Sequence, residues 1–511
     1  MKYVNVPKEL SIAEIRANGG CFAPGRYIRF IPPHTTGTTG TTQFAPLDKL
    51  IVLREGHVTT TRAAWYHYAE IGDIDVSTGG ITFHKTRGYQ LPDRKPARAE
   101  KGDVLVSTVR TYRNGIGYVT ANEPNLVTTN AVMNICGVTN YARDLTVLYL
   151  YSFLRSEFFS EQVWSVLNRG NYPRMDKDLL HNIVIPITSN ARVINYISAL
   201  MQAIVEKERA IRDKNAAMFD TMEMELSLGQ VSSERFQYVL PTIDDLRTVR
   251  RLDAGMYVES FRHKRFLIQN YKHGWTNYAG FDLSTGRGQN LQLSAIGKSI
   301  YSDKEKPRFY RLLLPTNITD YGTAAKYEWL GNSRKLDVLH EGDIVFGGEA
   351  TFRCVVVCDA LTSPTISNIH AIILRSESLP LYKKVFVGAW LRYLAKWGYL
   401  QSIAVGGNGG SLAMGYFHHV LFPKFPDDKQ AEIARLYHNP APPPSEMPTL
   451  TTFVDWHRQW NADLGIWELD REMKNLRRTL AEVQEKIIAG ETVIIPLADT
   501  PSSTRMGSLP E

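Results

Sequence analysis

The chain is 511 residues long, with 43% hydrophobic and 22% charged residues and a formal net charge of +7. This length suits about two or three domains that each bury a core. The sequence has no apolar run of about 18 residues and no apolar segment at its start, which argues against a membrane span or a signal peptide. Four cysteines are too few for a disulfide framework, so we expect a cytoplasmic protein without membrane association.

Basic residues are interleaved with aromatic residues in two regions of the chain. The basic residues of these regions are Arg87, Arg94, Lys95, Arg98, Lys101, Arg110 and Arg113, and then Lys298, Lys304, Lys306, Arg308, Arg311, Arg334 and Lys335. With the positive net charge, they favour a polyanionic partner such as nucleic acid. The alternative is that both regions are ordinary solvated loops.

A short phrase occurs twice, 240 residues apart. Gly102-Asp103 precedes an apolar run at residues 104–106, and Gly342-Asp343 precedes one at residues 344–346. A glycine and an aspartate before an apolar run are typical of a turn that enters a buried strand. Internal repetition of this kind indicates a duplicated structural unit.

The residues that follow each copy also correspond, and they do so in the same order. The matched pairs are 149–154 with 390–394 for a helix, 168–174 with 406–411 for a loop, and 183–186 with 420–423 for an apolar run that ends in proline. Several matched features in one order are much stronger than any single motif. They predict an α/β (α+β) protein that is built from two similar domains.

A long amphipathic helix is predicted after each copy. Apolar residues recur at steps of three and four at Ile194, Ile197, Met201, Ile204, Ile211, Met218 and Met222, and again at Leu469, Met473, Leu476, Leu480, Val483 and Ile487. This spacing is typical of a coiled-coil seam, so we expect the two helices to pair and to hold the domains apart. Glu208 and Asn215 interrupt the first seam, where polar residues fix the register. The alternative is that each helix packs on its own domain.

No set of residues that would support catalysis is evident. The sequence lacks a Walker phosphate loop, the Asn-Pro-Pro-Tyr type of tetrapeptide, a His-Glu-x-x-His motif and a Gly-x-Ser-x-Gly motif. Cys354 and Cys358 have no further ligands at zinc spacing, and His418-His419 has no carboxylate or cysteine partner. We therefore expect a binding protein, not an enzyme, with no metal or cofactor of its own.

The combined pattern resembles the specificity (S) subunit of type I restriction-modification systems. The segments that carry the resemblance are Gly102-Asp103 with Ser107 and Arg110, the helix at 149–159, the loop at 170–175, the strand at 183–186 and Arg251-Leu252-Asp253-Ala254. Residues 21–27, 347–350 and 410–415 depart from the family pattern. These departures leave open an atypical type I system, or the specificity subunit of a type IIB-like or other phage-defence methyltransferase system.

The resemblance implies two target recognition domains separated by two long spacer helices that pair as an antiparallel coiled coil. The expected layout is a first target recognition domain at 1–190, a first spacer helix at 191–230, a second target recognition domain at 231–436, a proline-rich linker at 437–455, a second spacer helix at 456–490 and a disordered tail at 491–511. Each domain is expected to read half of a bipartite double-stranded DNA site, and the helices are expected to set the spacing.

The resemblance also implies contact residues. The expected DNA contacts are Arg110, Tyr112, Arg113, Asn171, Tyr172 and Arg174 in the first domain and Arg353, Asn408 and Ser411 in the second. The expected contacts with methyltransferase (M) subunits are Ile197, Met201, Ile204, Ile211, Met473, Leu476, Leu480 and Val483. Two M subunits would bring S-adenosylmethionine, and restriction (R) subunits would add cleavage that depends on ATP and Mg²⁺.

Two rivals belong to other functional classes. One is a scaffold whose two domains bind proteins and whose basic loops are incidental. The other is an enzyme with one active site per repeat, which would require matched reactive residues in both halves. The sequence offers no such matched residues.

Overall fold

The structure is a computed structural model that describes residues 2–17, 19–20, 22, 27–31, 42–92, 95–167, 173–231, 233, 235–349, 351–359, 361, 363–406 and 410–498. The chain divides into two units. The first unit comprises residues 1–209, 443–460 and 471–511, and the second comprises residues 210–442 and 461–470.

The first unit combines short strands with helices. Its strands are β1 (Val4–Asn5), β2 (Arg29–Phe30), β3 (Thr42–Pro46), β4 (Ile51–Leu53), β5 (Trp65–Ala69), β6 (His84–Arg87), β7 (Ala97–Arg98), β8 (Val104–Ser107), β9 (Ile116–Tyr118), β10 (Leu126–Thr128), β11 (Val132–Val138) and β12 (Val184–Thr188). Its helices are α1 (Ile12–Ala17), α2 (Leu47–Leu50), α3 (Val147–Leu154), α4 (Glu157–Val166) and the first part of α5 (Ala191–Leu228). Short 3-10 helices lie at Ile71–Asp73, Gly88–Gln90, Thr111–Arg113 and Lys177–Asn182.

Two four-stranded sheets enclose the core of the first unit. One sheet is antiparallel and has the order β4-β11-β8-β9, while the other has the order β6-β5-β10-β7 with a parallel β5–β10 pair. Ala69 and Leu126 of the second sheet are buried in one cluster with Leu105 and Val132 of the first. Burial of these apolar faces against each other is the main source of stability for such a pair of sheets.

The second unit contains the same kinds of element. Its strands are β13 (Trp275–Thr276), β14 (Ser284–Arg287), β15 (Ser299–Ser302), β16 (Tyr310–Leu313), β17 (Glu328–Asn332), β18 (Ile344–Gly347), β19 (Cys354–Val356), β20 (Thr365–Ser367), β21 (Ala371–Arg375) and β22 (Phe422–Pro423). Its helices are α6 (Ile243–Val249), α7 (Glu259–Gln269), α8 (Leu293–Ile296), α9 (Leu381–Lys396), α10 (Tyr399–Ile403) and α11 (Asp427–Tyr437). Its 3-10 helices lie at Ala254–Met256, Tyr278–Phe281, Pro315–Asn317 and Met414–His419. Helices α12 (Phe453–Asp463) and α13 (Ile466–Ile488) follow.

The antiparallel sheet of the second unit reproduces that of the first, whereas the second sheets share three strands and differ in the fourth. The parallel pair lies at the centre of that sheet in the first unit and at its edge in the second. An antiparallel sheet has the order β14-β21-β18-β19, and a second sheet has the order β15-β17-β16-β20 with a parallel β16–β20 pair. Strands β8 and β18, which carry the repeated phrase, take the same place in their sheets. The prediction of two similar domains with mixed helices and strands is therefore confirmed.

The repeated glycine makes the same turn in both units. Gly102 and Gly342 have φ angles of 96° and 84°, which are unfavourable for residues with a Cβ. The amide of Gly102 donates to the carbonyl of Val119 at 2.9 Å, and that of Gly342 donates to the carbonyl of Val357 at 2.7 Å. The turn that the Gly-Asp phrase predicts is therefore present in both units.

In each unit, the matched loop (168–174 or 406–411) leads back to the end of the strand that carries the repeated phrase, β8 or β18. The amide of Met175 donates to the carbonyl of Thr108, and the amide of Leu412 donates to the carbonyl of Gly348, both at 2.7 Å. The two loops that correspond in sequence therefore correspond in contact. Residues 168–172 and 407–409 of these loops lie outside the described residues.

The predicted first spacer helix corresponds to α5, which is 38 residues long. The predicted second spacer helix is instead divided into α12 and α13, with a break at Leu464-Gly465. A Cβ on Gly465 would come within 2.6 Å of the amide nitrogen of Asn439 and 2.7 Å of the carbonyl of Tyr437. The close passage of that backbone explains the break, which the heptad spacing did not reveal.

The helix at the equivalent position after the second repeat is α11, not the predicted spacer. Helix α5 begins three residues after β12, and α11 begins four residues after β22. Helix α11 packs on α9 and ends at Tyr437, just before a run that includes Pro440, Pro442, Pro443 and Pro444. Prolines lack the amide that a helix requires, so the second copy stops where the first continues through α5.

Within the first unit, α5 and α13 run side by side in opposite directions. Met201 and Ile204 line one cavity with Leu480, and Lys207, further along α5, interacts with Glu472, which precedes Leu480 on α13. Pairing of the two helices beyond this unit stays a prediction. Asn215, expected in the seam, accepts a hydrogen bond from Arg392 of α9 at 3.1 Å.

The described chain after α13 contacts residues that lie far from it in the sequence. The carbonyl of Ala498 accepts from the amide of Leu450 at 2.8 Å, and the carbonyl of Leu497 accepts from the guanidinium of Arg192 at 2.5 Å. Residues 499–511 of the expected disordered tail lie outside the described residues. Among the described residues, none of the helices has the length and apolar character needed to span a bilayer.

Candidate nucleic-acid interface

The β8–β9 loop (residues 108–115) presents three of the expected DNA contacts at one end of the first sheet. Arg110 has a left-handed φ of 51°, and its amide donates to the carbonyl of Pro173 at 2.9 Å. Tyr112 packs edge-on against Trp164 with ring centroids 4.6 Å apart. Arg113 ends the 3-10 helix and is exposed. The loop therefore holds Tyr112 in place and leaves Arg113 accessible.

Arg174 joins the same end of the sheet through backbone pairing. It forms an isolated bridge with Val109, so its side chain belongs to the same surface as the β8–β9 loop. Arg174 and Arg113 are exposed, and neither forms an ion pair with any part of the chain that is described. Two cations without carboxylate partners suit contact with phosphates or with guanine edges. The expected contacts Asn171 and Tyr172 lie outside the described residues.

The turn within the β8–β9 loop is conformationally constrained. Arg110 and Asn114 both take left-handed φ angles, of 51° and 64°, on either side of the 3-10 helix. The hydroxyl of Thr111 donates to the carbonyl of Ser107 at 2.6 Å, which fixes the turn. Each left-handed residue of this kind costs about 1 kcal/mol, and such constraint is typical of functional sites.

Amide side chains that the sequence analysis missed lie beside Arg174. A cavity of about 500 Å³ is lined by Thr108, Asn130, Asn134 and Arg174. Asn134 is buried on β11, its side-chain amide donates to the carbonyl of Arg98, and its Oδ1 has no partner in the described chain. An asparagine within the apolar strand Val132–Val138 was the signal that could have identified it.

The β18–β19 loop (residues 348–353) has a different chemistry at the equivalent sheet end. Arg353 lies just before β19, where its carbonyl accepts from Gly347 at 2.8 Å as that of Gly115 accepts from Ser107. Arg353 is thus the counterpart of Gly115 and not of Arg110. Its Nε donates to Asp320 at 2.7 Å, so this cation already has a carboxylate partner.

Of the two remaining expected DNA contacts in the second unit, the structure describes Ser411. Ser411 pairs with Glu349 through its backbone, and the Glu349 carboxylate lies 3.0 Å from a ring nitrogen of His370. Asn408 lies outside the described residues. The second site therefore carries the carboxylates of Asp320 and Glu349, whereas Arg113 and Arg174 of the first site form no ion pair with the described residues. The structure places Arg353 and Ser411 at the expected end of the sheet. The surface there is less cationic than the equivalent surface of the first unit.

The residues expected to contact M subunits are mostly buried within the chain. Seven of them are buried, namely Ile197, Met201, Ile204, Ile211, Met473, Leu480 and Val483, and Leu476 is half-buried. Heptad spacing identified them because they form an apolar stripe, and the chain covers that stripe itself. A partner would have to contact other side chains.

Each unit has a short helix near its start with the same reciprocal cap. The Ser11 hydroxyl accepts from the amide of Glu14 at 3.2 Å, while the Glu14 carboxylate accepts from the amide of Ser11 at 2.9 Å. Thr242 and Asp245 repeat this exchange at 3.2 and 2.8 Å. Such caps start helices, and this pair extends the internal repeat to α1 and α6.

Large apolar side chains are exposed at matching positions around these two helices. Ile12 and Ile243, the first residues of α1 and α6, are 69% and 68% exposed. Phe22 and Leu252, which follow the two helices, are 80% and 88% exposed. Single exposed apolar residues are ordinary, but the same exposure in both units indicates a surface with a shared role.

Burial shifts the pKa values of three groups that were considered as possible nucleophiles or ligands. Burial raises the pKa of the Cys354 thiol to about 12 and raises that of Cys358, so both stay protonated at neutral pH. Burial, with a smaller effect of His418, lowers the pKa of His419 to about 4. Among the described residues, no group of three or more His, Cys, Asp or Glu side chains is arranged to hold a metal ion.

No protein-family model and no curated protein matches this chain. Solved structures do show similarity. The HsdS subunit from Thermoanaerobacter tengcongensis is 15% identical with a TM-score of 0.32, over 90% of this chain and 99% of that one. The type I restriction-modification S subunit from M. genitalium is 12% identical with a TM-score of 0.36, over 90% and 98%.

A third similar chain comes from a structure that addresses complex assembly and conformational transition of the type I restriction-modification system. It is 16% identical with a TM-score of 0.32, over 90% of this chain and all of that one. Identity and superposition at this level leave the function to be argued from the residues of the chain itself.

Proposed function

We propose that this chain is the specificity subunit of a type I restriction-modification complex and that it binds double-stranded DNA without catalysing a reaction. The observation that carries the proposal is the duplicated architecture, in which the same sheet end presents two loops of different chemistry. Similar frames with different loops suit two half-sites of different sequence. An enzyme with one active site per unit would need matched reactive residues instead.

In the proposed mechanism, the first unit binds its half-site through Arg113 and Arg174. Arg side chains can pair with phosphate oxygens or in bidentate fashion with guanine in the major groove. Asn134, beside Arg174, has the amide chemistry that recognises adenine. In the second unit, Arg353 would have to exchange its partner Asp320 for DNA, and Ser411 would add a neutral contact.

In this proposal, methyl transfer and DNA cleavage are carried out by partner subunits. Two M subunits would supply S-adenosylmethionine and transfer the methyl group, and R subunits would supply cleavage with ATP and Mg²⁺. The matching exposed side chains of the two units, Ile12 with Ile243 and Phe22 with Leu252, support two copies of one partner, one on each unit. Apolar side chains at the centre of an interface are typical anchors for such a contact.

The decisive experiment compares DNA methylation in cells with and without this gene. We expect a bipartite sequence to lose its methylation when the gene is deleted and to regain it on complementation. Complementation with Arg174→Ala should relax or abolish recognition of one half-site only. An unchanged methylation pattern, together with no binding of the purified chain to duplex DNA at low salt, would favour the protein-binding scaffold.

A further inference from the structure

The second sheet of the second unit carries a cavity that lies outside the expected DNA contacts. The cavity has a volume of about 710 Å³ and is bordered by the chain before β16, the turn after β17 and the chain before β20. Its cationic and principal aromatic lining residues are Lys306, Arg308, Arg334, Lys335, Phe309 and Trp329. We refer to it as the basic cavity.

The cations of the basic cavity have no carboxylate partners. All four are exposed, and across the described ranges none of them takes part in an ion pair. One carboxylate, Glu305, also lines the cavity, which leaves an excess of three positive charges (four cations minus one anion). Like charges held together without counterions oppose folding. Arg334 donates to the carbonyl of Ala295 at 2.8 Å, but this contact does not neutralise its charge, so the accumulation of cations suits an anionic ligand.

The wall of the basic cavity is held in place before any ligand binds. The Tyr310 hydroxyl accepts from the amide of Leu336 at 3.2 Å and donates to the carbonyl of Arg334 at 3.3 Å, which fixes the turn after β17. The amide of Arg334 donates to the Asn332 side chain at 2.8 Å. Because the turn is fixed, its backbone need not become ordered when an anion binds.

An aromatic ring beside the cavity is packed against backbone and covered by a cation. The ring of Phe309 lies over Gly331, where an added Cβ would come within 2.6 Å of the ring. The Nζ of Lys306 lies 5.6 Å from the centroid of that ring. This arrangement places the ammonium group at a defined position on the surface.

The first unit repeats the feature at the same position of its second sheet. In the parallel pairs, Tyr68 of β5 lies opposite Val127 and Leu312 of β16 lies opposite Ile366. Three residues before Tyr68 is Trp65, and three before Leu312 is Phe309. The two aromatic residues are therefore structurally equivalent.

Trp65 is covered by cations as Phe309 is. The guanidinium of Arg87 lies 3.9 Å from a ring centroid of Trp65, and the Nζ of Lys85 lies 5.0 Å from it. Trp65 is 43% exposed. In the described structure neither Lys85 nor Arg87 forms an ion pair. Both units therefore have an aromatic ring with basic side chains packed over it, although the basic residues come from different positions in the chain.

We propose that these two surfaces bind phosphates of the DNA backbone outside the bases that the loops read. The inference rests on the proposed function, and it assigns affinity to the second sheets and sequence discrimination to the sheet-end loops. Lysine and arginine without carboxylates neutralise phosphates without regard to sequence. The basic cavity of the second unit compensates for the weaker charge of its loop, where Arg353 is paired with Asp320.

The test measures duplex affinity of the full chain as a function of salt. The triple variant Lys306→Ala, Arg308→Ala and Lys335→Ala should flatten the slope of log affinity against log salt by about 0.9 for each phosphate that is no longer neutralised, so by about 2 to 3. Affinity for duplexes with and without the target sequence should fall by the same factor. Lys85→Ala with Arg87→Ala should act in the same direction.

A matched control removes three cations of the second unit that already have carboxylate partners. Arg247, Lys383 and Lys429 are paired with Asp244, Asp427 and Glu432. Their replacement by alanine changes net charge equally and should leave the slope nearly unchanged. Equal effects of both triple variants would overturn the inference, because general charge would then account for the weaker binding. Thermal unfolding of each variant establishes that it is folded.

Three further outcomes distinguish failure of this inference from failure of the proposed function and from binding of a different anion. Absence of DNA binding by the wild-type chain would overturn the proposed function and this inference together. Wild-type binding with an unchanged slope in the triple variant would overturn the inference alone. Binding of free ATP that disappears in the triple variant, without a change in duplex slope, would assign the basic cavity to a nucleotide and overturn the backbone assignment.

Discussion

The guanidinium of Arg375 donates two hydrogen bonds to the carboxylate of Asp343, at 2.8 and 2.6 Å. Arg54 does the same for Asp103, with both distances at 2.8 Å. Arg375 ends β21, whereas Arg54 directly follows β4, so the equivalent carboxylates are satisfied from different strands. Both aspartates are buried, at 1% and 2% exposure. The repeated Gly-Asp residues thus form a turn whose buried aspartate is neutralised by an arginine.

Asp343→Ala should destabilise the second unit because it leaves Arg375, which also donates to the carbonyl of Val338, without its carboxylate partner beside the core. Loss of one member of a buried pair costs about 3–5 kcal/mol, and partial exposure of Arg375 reduces this to roughly 2–3 kcal/mol. Urea unfolding measures the change. Arg98→Ala removes the exposed Arg98–Glu100 pair and leaves Glu100 paired with Arg54, so it should cost less than about 1 kcal/mol. An equally small effect for Asp343→Ala would show that the ion pair contributes little.

The Gly-Asp turns were predictable because they depend on adjacent residues, whereas their arginines were not. Arg54 lies 49 residues before Asp103, and Arg375 lies 32 residues after Asp343. Which strand supplies the cation depends on sheet order, which local patterns do not encode. The same applies to Arg353, whose partner Asp320 is 33 residues away. The sequence therefore indicated the sheet end of the candidate site but not its free charges.

The long helix α5 was predictable from its heptads, but the break between α12 and α13 was not. Gly465 precedes the heptads, which begin at Leu469, and a side chain there would meet the backbone at Tyr437 and Asn439, which is distant in sequence. The basic region around Phe309 was predicted, but its equivalence to Trp65 and the contact of each ring with particular cations were not. Strands of four or five residues give too little periodicity to predict which side chains share a face.

Gly465→Ala should destabilise the chain, although alanine favours helices by about 1 kcal/mol over glycine. The added Cβ would lie within 2.8 Å of the Asn439 amide, the Tyr437 carbonyl and the Glu468 carboxylate. Overpacking of this kind costs about 1–3 kcal/mol. Gly415→Ala is the control, since nothing lies within 4 Å of its added Cβ. Equal unfolding midpoints for the two variants would contradict the close approach at Gly465.

Stability of the first unit should fall as the pH drops below about 6.5. Burial, with a smaller effect of Lys207, lowers the pKa of His457 to about 3, while the unfolded chain keeps a value near 6.5. Between these values the unfolded state binds more protons, so acid favours unfolding. We expect His457→Phe to remove on the order of 2 kcal/mol of the destabilisation between pH 6.5 and 4.5. A fall in stability as steep in His457→Phe as in the wild-type chain would contradict this origin of the acid sensitivity.

Asp320→Asn should strengthen DNA binding by the second unit. Asp320 is 76% exposed and holds the guanidinium of Arg353 at 2.7 Å, so its charge competes with a phosphate for that cation. Release of Arg353 should raise the slope of log affinity against log salt by about 0.9, the value for one added phosphate contact. Asp244→Asn, at another exposed ion pair, is the control. Arg353→Ala should abolish the gain in the double variant. A gain that persists without Arg353 would mean that removal of negative charge alone is responsible, and Arg353 would then have no part in DNA binding.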